Sequence, residues 1–476
     1  MRRLYGHPAL VFLLLVVFLV AGCALPTRRA PTSVTTLQAP TATPAADAST
    51  SGPIPATGTP TPSEEPITET WWNDTVFYEV FVRSFYDSDG DGIGDLNGLI
   101  EKLDYLNDGD PATAADLGVT GIWLMPVAQS PSYHGYDTVD YTTIEQDYGT
   151  NADFQRLVEE AHRRGIRVIV DLVLNHTSTE HPWFVEAASD PASERRDWYV
   201  WSEKDDGSLG NYGGPVWHPW GDSYYFGFFW EGMPDLNYRN PAVTEEMERV
   251  ARFWLEEMGA DGFRLDAVRH LIEEGQQYDG TPATHQWLAG FDDFLDSVDP
   301  EALTVGEVWD ETAKVAPYVR NDEVDLAFEF NLAQAIIQSL NAGKPAGTSE
   351  DLAQLLAAYP SGQLATFLTN HDQDRLMNQL SLDEEKVRVA STLLLTLPGV
   401  PFVYYGEEIG MRGSKPDEYI RTPMLWSADA NAGFTTGQPW IRVNPGFQKA
   451  NVASQSADPG SLLSHYRRLI HLRNEH

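Results

Sequence analysis

Apolar positions along this chain follow two patterns. Short, nearly continuous runs of large side chains alternate with longer stretches in which apolar residues recur every three or four positions. "LGVTGIWLMPV" (117–127) and "IRVIVDLVLNH" (166–176) are of the first kind. "ADFQRLVEEAHRRG" (152–165) is of the second, with Gly165 placed as a C-cap. "DTVFYEVFVRSF" (74–85) reads as a further strand, and "NPAVTEEMERVARFWLEEMGADG" (240–262) as a helix running directly into another. Eight strands are expected in all, near residues 76, 120, 168, 262, 303, 325, 364 and 400. Continuous apolar strands separated by helices imply parallel strands covered by helices. Eight such units predict an α/β fold, a closed (β/α)8 TIM barrel. The alternative, an open doubly wound sheet, would be expected to carry a glycine-rich phosphate loop after an early strand, and none is found. Residues 177–237, rich in Trp, Tyr, Gly and Asp, break the rhythm after the third strand and predict a small inserted subdomain. Residues 70–176 and 238–476 are left for the barrel.

Polar residues then stand out where a core would not choose them. "GFRLDAVRH" (262–270) sets Arg264 and Asp266 two apart on a strand, so both point to one face. The third strand ends with Asp171, Asn175 and His176, the fifth with Glu307 in "VGEVW", and the seventh with His371 and Asp372 in "FLTNHD". Any one of these is most simply a satisfied buried polar group. Four of them at the ends of strands three, four, five and seven, where barrels gather their functional side chains, are not.

These stretches, in order, resemble the four signature segments of the α-amylase family of glycoside hydrolases, and "MPDLN" (233–237) resembles its fifth; the resemblance spans residues 71–476. It implies Asp266 as nucleophile, Glu307 as general acid/base and Asp372 as the carboxylate that holds the sugar. A retaining glycosidase needs one carboxylate to attack the anomeric carbon and a protonated one, roughly 5–5.5 Å away, to serve the leaving oxygen. Glu307 should then have a raised pKa through crowding by the two aspartates, and Arg264 should keep Asp266 ionised and oriented. His134 and Tyr136 in "YHGYDTVDY", with His176 and His371, match sugar-binding positions, Tyr136 as the stacking face. Asp137 and Arg375 resemble a pair that grips the terminal glucose in exo-acting relatives, and Arg269 stands where many amylases have lysine. Trp201, Trp217, Trp220 and Phe226 are assigned mainly to the insert's own core.

Calcium is the expected cofactor. "DSDGDGIGD" spaces Asp87, Asp89, Asp91, the Ile93 carbonyl and Asp95 as oxygen ligands around a Gly92 turn. Position twelve is Gly98, so it is not an EF-hand. A second ion is implied by the resemblance alone, through Asn175, Asp235 and the His270 carbonyl.

The amino terminus changes the picture again. Basic residues precede the apolar run "ALVFLLLVVFLVA" (9–21), which is short for a membrane span. "VAGC" looks like a lipobox around Cys23, the chain's one cysteine. Residues 1–23 are thus expected to be a lipoprotein signal peptide, with an uncleaved type II anchor as the alternative. Residues 24–69, rich in Pro, Thr and Ala, form a disordered tether in this reading. The protein is expected to be exported, to meet the membrane only through lipid on Cys23, and to be monomeric. A net charge of −38 from 70 acidic and 32 basic residues argues against nucleic acid as a partner. The family usually continues into a β-sandwich after such a barrel; since the given sequence stops after the helical stretch 460–476, the expectation is either a fragment or a chain without that sandwich.

An α-glucan is therefore the expected substrate, cut internally in starch and maltooligosaccharides. An exo-acting α-glucosidase or a transglycosylase is the alternative within the family. The distant alternative, a non-catalytic amylase-like transporter heavy chain, lacks the carboxylates found here.

Overall fold

The computed structural model describes residues 70–475 apart from 211, 212 and 348. Cys23, the signal peptide and the tether lie outside the described residues. Among the described residues, no helix is long and apolar enough to cross a membrane.

Eight parallel strands close into a barrel in sequence order. They are β1 (Phe77–Val80), β2 (Gly121–Leu124), β3 (Arg167–Leu172), β4 (Gly262–Leu265), β5 (Leu303–Gly306), β6 (Leu326–Phe328), β7 (Leu364–Thr366) and β8 (Val400–Tyr404). All eight fall where the apolar runs predict them. The run 74–85 is shorter as a strand than expected. β1 ends at Val80, and Val82–Phe85 turns into a single helical turn.

Strand alternation builds two cores from one sequence pattern. Phe263 and Leu265 of β4 point outward and join the layer between barrel and helices. Inward residues, including Phe77, Trp123, Ile169, Leu303, Val305, Phe328 and Phe402, fill the barrel itself. Phe77 stacks on Phe402 at 4.5 Å, and Phe328 meets Phe402 edge-on at 4.9 Å. This plug leaves no channel, so polar inward residues must gather above it, at the carboxyl ends of the strands. At the β4 entry Gly262 (φ +146°) is required, because a Cβ there would stand 2.1 Å from the Leu303 carbonyl oxygen.

The insert after β3 has its own helix (Pro182–Ser189) and a three-stranded sheet of 201–202, 217–220 and 223–226. Trp201 and Trp220 pack around Phe184, and Trp217 packs on Phe226. Trp201, Trp217 and Phe226 pack within the insert, as expected, while Trp220 touches Phe184 but stays 43% exposed.

Candidate active site

Arg264 is fully buried on β4, directly above the plug, with its guanidinium 5.2 Å from the Trp123 ring. Its Nη1 donates to Asp266 Oδ1 at 2.6 Å and to Asp171 Oδ1 at 2.8 Å. Its Nη2 donates to Glu307 Oε2 at 2.5 Å. Three strands thus deliver three carboxylates to one cation. The barrel ladder sets the two upper ones. The Asp266 N–H donates to Leu172 O and the Glu307 N–H to Leu265 O, so each residue is the first beyond its strand. Ala267 then adopts a left-handed conformation (φ +48°), turning the chain away behind Asp266.

A second charged cluster comes from the other side of the barrel. His371 is enclosed between Glu79 of β1 (Nδ1–Oε1, 2.6 Å) and Asp372 (Nε2–Oδ2, 3.2 Å), and it also meets the Tyr136 hydroxyl at 2.6 Å. Arg421, from the segment after β8, pairs with Asp372 Oδ1 at 2.8 Å.

These surroundings split the carboxylates. Burial pushes Glu307 up, with Asp266 and Asp372 adding to it against the opposing pull of Arg264, to about 7. Crowding was the expected cause; burial is the larger one. For Asp372 burial acts upward too, but His371, Arg421 and Arg264 outweigh it and hold the carboxyl far below its usual range. Burial lowers His371, yet Asp372 and Glu79 raise it to about 9, so it is an imidazolium at neutral pH. One carboxyl is held near-neutral beside another held ionised, which is the arrangement acid–base chemistry on a glycoside uses.

Asp266, Glu307 and Asp372 open onto a cavity of about 470 Å³ that His134, Tyr136, His176, Trp230 and Trp309 also line. Their side chains are 11%, 12% and 31% exposed, against 1% for Arg264 and none for Asp171. The first three can touch a ligand; the last two act through them. A model of the alpha-amylase catalytic domain matches residues 79–476. The chain belongs to the alpha-amylase family. Over 411 residues it is 43% identical to alpha-amylase 3 of Dictyoglomus thermophilum, covering 85% of this chain and 78% of the relative. It is 34% identical to the oligo-1,6-glucosidase of Parageobacillus thermoglucosidasius, covering 85% and 84% of the two chains. The crystal structure of the alpha-amylase from H. orenii superimposes with a TM-score of 0.79 at 50% identity, over 84% of this chain and 82% of that one. This glycoside hydrolase therefore shares sequence with both named relatives and its barrel with the H. orenii alpha-amylase.

Three expected sugar-binding residues of the enzyme, Asp137, His371 and Arg375, do not line the cleft; His371 is fully buried and acts on Asp372 instead. Asp137 and Arg375 form no pair. Asp137 accepts from the hydroxyls of Ser130 and Ser132, bracing its own loop. Arg375 is buried between Tyr404 and Tyr405 and donates to the carbonyls of Tyr405 and Ile420. Arg421, adjacent to Ile420, is the arginine at the site. Arg269 turns to Asp310 (2.7 Å), Asp279 and the Trp309 carbonyl, not into the cavity.

The expected calcium ligands also rearrange. Carboxylate oxygens of Asp87, Asp89 and Asp95 lie within 4.8 Å of one another. Asp91 stands outside this group, exposed, and accepts from the Ile93 amide. Asp87 is already saturated by the amides of Asp89, Gly90 and Gly92 and by Thr435, and Asp95 caps the helix Leu96–Glu101 while holding Ser88. The Asn175 set fits an ion better. Asp235 Oδ2 is buried without a partner, and burial raises its carboxyl well above the usual range. Burial also lowers His176, which is therefore neutral, yet its two nitrogens face Asn175 Oδ1 (3.0 Å) and Tyr136 O (3.2 Å). A neutral imidazole donates from only one nitrogen. Turning the Asn175 amide over resolves this, and it aims Oδ1 at the His270 carbonyl that Nδ2 now meets at 2.8 Å. Two facing oxygens beside the free Oδ2 of Asp235, whose Oδ1 accepts from the Phe228 amide at 3.0 Å, suit a hard cation.

Removing the Arg264 charge should show how far the site depends on it. In Arg264→Met, Asp171 (already raised by burial to about 6) and Glu307 lose their cation and rise further. Folded-state values above the unfolded ones mean that the folded protein binds more protons, so stability falls as pH rises. Denaturant titration should show a loss of about 3–5 kcal/mol at pH 8 and less at pH 5. A larger loss at pH 5 would contradict the charge assignment.

Proposed function

We propose that this enzyme hydrolyses α-1,4-glucosidic bonds inside starch and maltooligosaccharides by double displacement. The Asp266 carboxylate attacks the anomeric carbon and forms a glycosyl ester as the glycosidic C–O bond breaks. The Glu307 carboxyl passes its proton to the leaving oxygen. Glu307, now a carboxylate, takes a proton from water, whose oxygen displaces Asp266 and restores the α-anomer. Arg264 orients Asp266 and Glu307 from below. Asp372, held ionised by His371 and Arg421, favours the positive charge that develops on the sugar. His134, Tyr136 and His176 contact the ring at the cleavage position.

Internal cleavage is favoured by one observation above the others. Trp230 from the insert and Trp309 beyond β5 both line the cavity, and each remains 48% exposed. Two open aromatic faces from separate segments suit several consecutive glucose units. The exo reading has support of its own, in Lys415, Asp417 and Arg421, which line the same cavity from the segment after β8, and in the oligo-1,6-glucosidase relative. Starch digestion separates them. Endo action lowers viscosity well before much reducing sugar appears; steady glucose release at constant viscosity establishes the exo reading.

Glu307→Gln, Asp266→Asn and Asp372→Asn should each cost about 10³-fold or more in kcat with little change in melting temperature. Because the acid works protonated, kcat/KM should fall on the alkaline side, about tenfold per pH unit above the Glu307 value near 7. An inverted first product, seen by anomeric NMR, would refute the double displacement.

We propose calcium as a structural ion, held by Asn175, Asp235 and the His270 carbonyl, where it would offset the buried Asp235 charge; the Asp87, Asp89 and Asp95 loop is a second candidate. Chelation should lower the melting temperature, by roughly 3–4 kcal/mol of stability if the free ion is at 100 to 1,000 times Kd. Asp235→Asn should remove most of that sensitivity and Asp89→Ala a smaller part. An unchanged melting curve and no bound metal in protein purified without chelator would eliminate the ion.

Export and lipidation at Cys23 are also proposed, on the strength of the "VAGC" segment. Cys23→Ser should shift the enzyme out of the membrane fraction; retention there would favour an uncleaved anchor.

A further inference from the structure

Glu79 is a charge placed where the inside of a barrel would take an apolar residue. It follows inward-facing Phe77 by two positions on β1 and stands in register with Trp123 of β2 and Tyr404 of β8. Its side chain is 2% exposed and lines no part of the cleft. The carboxylate meets His371 Nδ1 at 2.6 Å. Burying a carboxylate is costly, so the reason for Glu79 must lie in what its charge does to that ring.

The protons on His371 can be counted from its other side. The Tyr136 hydroxyl has one proton, which it donates to Asp171 Oδ2 at 3.1 Å. Its oxygen is therefore the acceptor at the 2.6 Å contact with His371 Nε2, and Nε2 carries a hydrogen. The same nitrogen faces Asp372 Oδ2 at 3.2 Å. Nδ1 and Glu79 Oε1 do not approach to 2.6 Å as two bare acceptors, so a second proton stands between them. In water an imidazole holds a proton more tightly than a carboxylate by about two pH units, and the Asp372 anion on the far nitrogen adds to that preference. The ring is therefore doubly protonated, with an anion on each side.

The other groups facing the ring do not replace Glu79. Burial opposes the charge on His371 and Asp372 favours it. Asp171 and Glu307 favour it as well. Arg421, whose Nε donates to the His371 carbonyl at 2.9 Å, and Arg264, 5.8 Å from the Tyr136 ring, oppose it. Trp123 presents only a ring edge, at 5.6 Å.

We propose that Glu79 is a positioning residue of the active site: it fixes His371 as an imidazolium, and through that ring it holds Asp372 ionised and Tyr136 aligned. Tyr136 stacks on His371 at 5.4 Å and lines the cleft, so both outputs of the ring face the sugar. Glu79 touches no substrate. The inference rests on the reading above in which Asp372 favours the positive charge developing on the glucan.

Glu79→Gln tests the charge alone. The amide keeps the shape, and by donating to Nδ1 it supports a neutral ring whose hydrogen stays on Nε2. Imidazole nitrogen shifts in ¹⁵N-labelled full-length protein report the ring's charge, with His371 assigned by its absence from the His371→Gln spectrum. The native ring should still be an imidazolium at pH 8, and the Glu79→Gln ring should lose its proton about one pH unit or more below the native one. A native ring that is neutral at pH 8, or a variant ring that titrates with the native one, overturns the proposal. The second arm follows kcat/KM for a nitrophenyl α-maltotrioside, whose leaving group departs without a proton from Glu307. The ratio of Glu79→Gln to native should fall roughly five- to tenfold from pH 5 to pH 8, because only the variant's ring discharges in that range. A ratio that is flat with pH, whatever its size, makes Glu79 a packing residue and overturns the proposal. A native enzyme that cleaves neither this substrate nor a maltooligosaccharide overturns the glucan reading instead, and the nitrogen shifts still decide what Glu79 does to His371.

Discussion

One guanidinium facing three carboxylates is the constraint around which this barrel is arranged. Arg264 sits with Asp171, Asp266 and Glu307, all within hydrogen-bond reach; Arg264 and Asp171 are sealed from water, and Asp266 and Glu307 meet it only at the cavity floor. With every group ionised the cluster would carry two excess negative charges in a medium that penalises even one. Burial relieves this by raising Asp171 and Glu307. The opposite cluster carries its own cations, His371 and Arg421, so Asp372 can stay ionised close by. The charge imbalance is thus placed on the one carboxyl that acid catalysis needs to be protonated near neutral pH.

Such a cluster is a poor source of stability, and the fold compensates beneath it. Phe77, Trp123, Phe328 and Phe402 fill the barrel below the guanidinium and deny water a route from the opposite end. Trp123 also gives Arg264 a ring face, and its indole nitrogen donates to Asp171 at 3.3 Å. Arg264→Lys would keep the charge but lose the fork that serves two carboxylates from one nitrogen and a third from the other.

The eight strands were legible because strands buried on both faces read as continuous apolar runs, and each run here coincides with a strand. The catalytic carboxylates were legible for the opposite reason, as polar residues interrupting those runs. Glu79 carried the same signal, a lone charge two residues from inward-facing Phe77, and sequence reasoning passed over it. The run 74–85 misled at its end because Val82 and Phe85 are buried in a helical turn as fully as they would be in a strand. Arg421, Phe229, Trp230 and Lys415 gave no signal. They lie on irregular segments without periodicity, and only closure of the barrel brings them to the cleft. Arg375 was assigned to the cleft because, with Asp137, it resembles a sugar-gripping pair of exo-acting relatives, but its guanidinium turns back between two tyrosines to hold the segment that carries Arg421.

That exchange of arginines shows where selectivity resides. Asp171, Arg264, Asp266 and Glu307 belong to strands or to the first residue beyond them, and the ladder fixes their positions. Trp230, Lys415, Asp417 and Arg421 belong to segments held by a few side-chain anchors, such as Arg375 on Ile420 O and the Tyr404 hydroxyl on the same carbonyl at 3.1 Å. In the proposed reading, bond cleavage depends on the first set, and the length and linkage of the bound carbohydrate on the second. Proteins named for different activities, an alpha-amylase and an oligo-1,6-glucosidase, match this chain at 43% and 34% identity. Carboxylates alone cannot separate those activities; the walls of the cleft must.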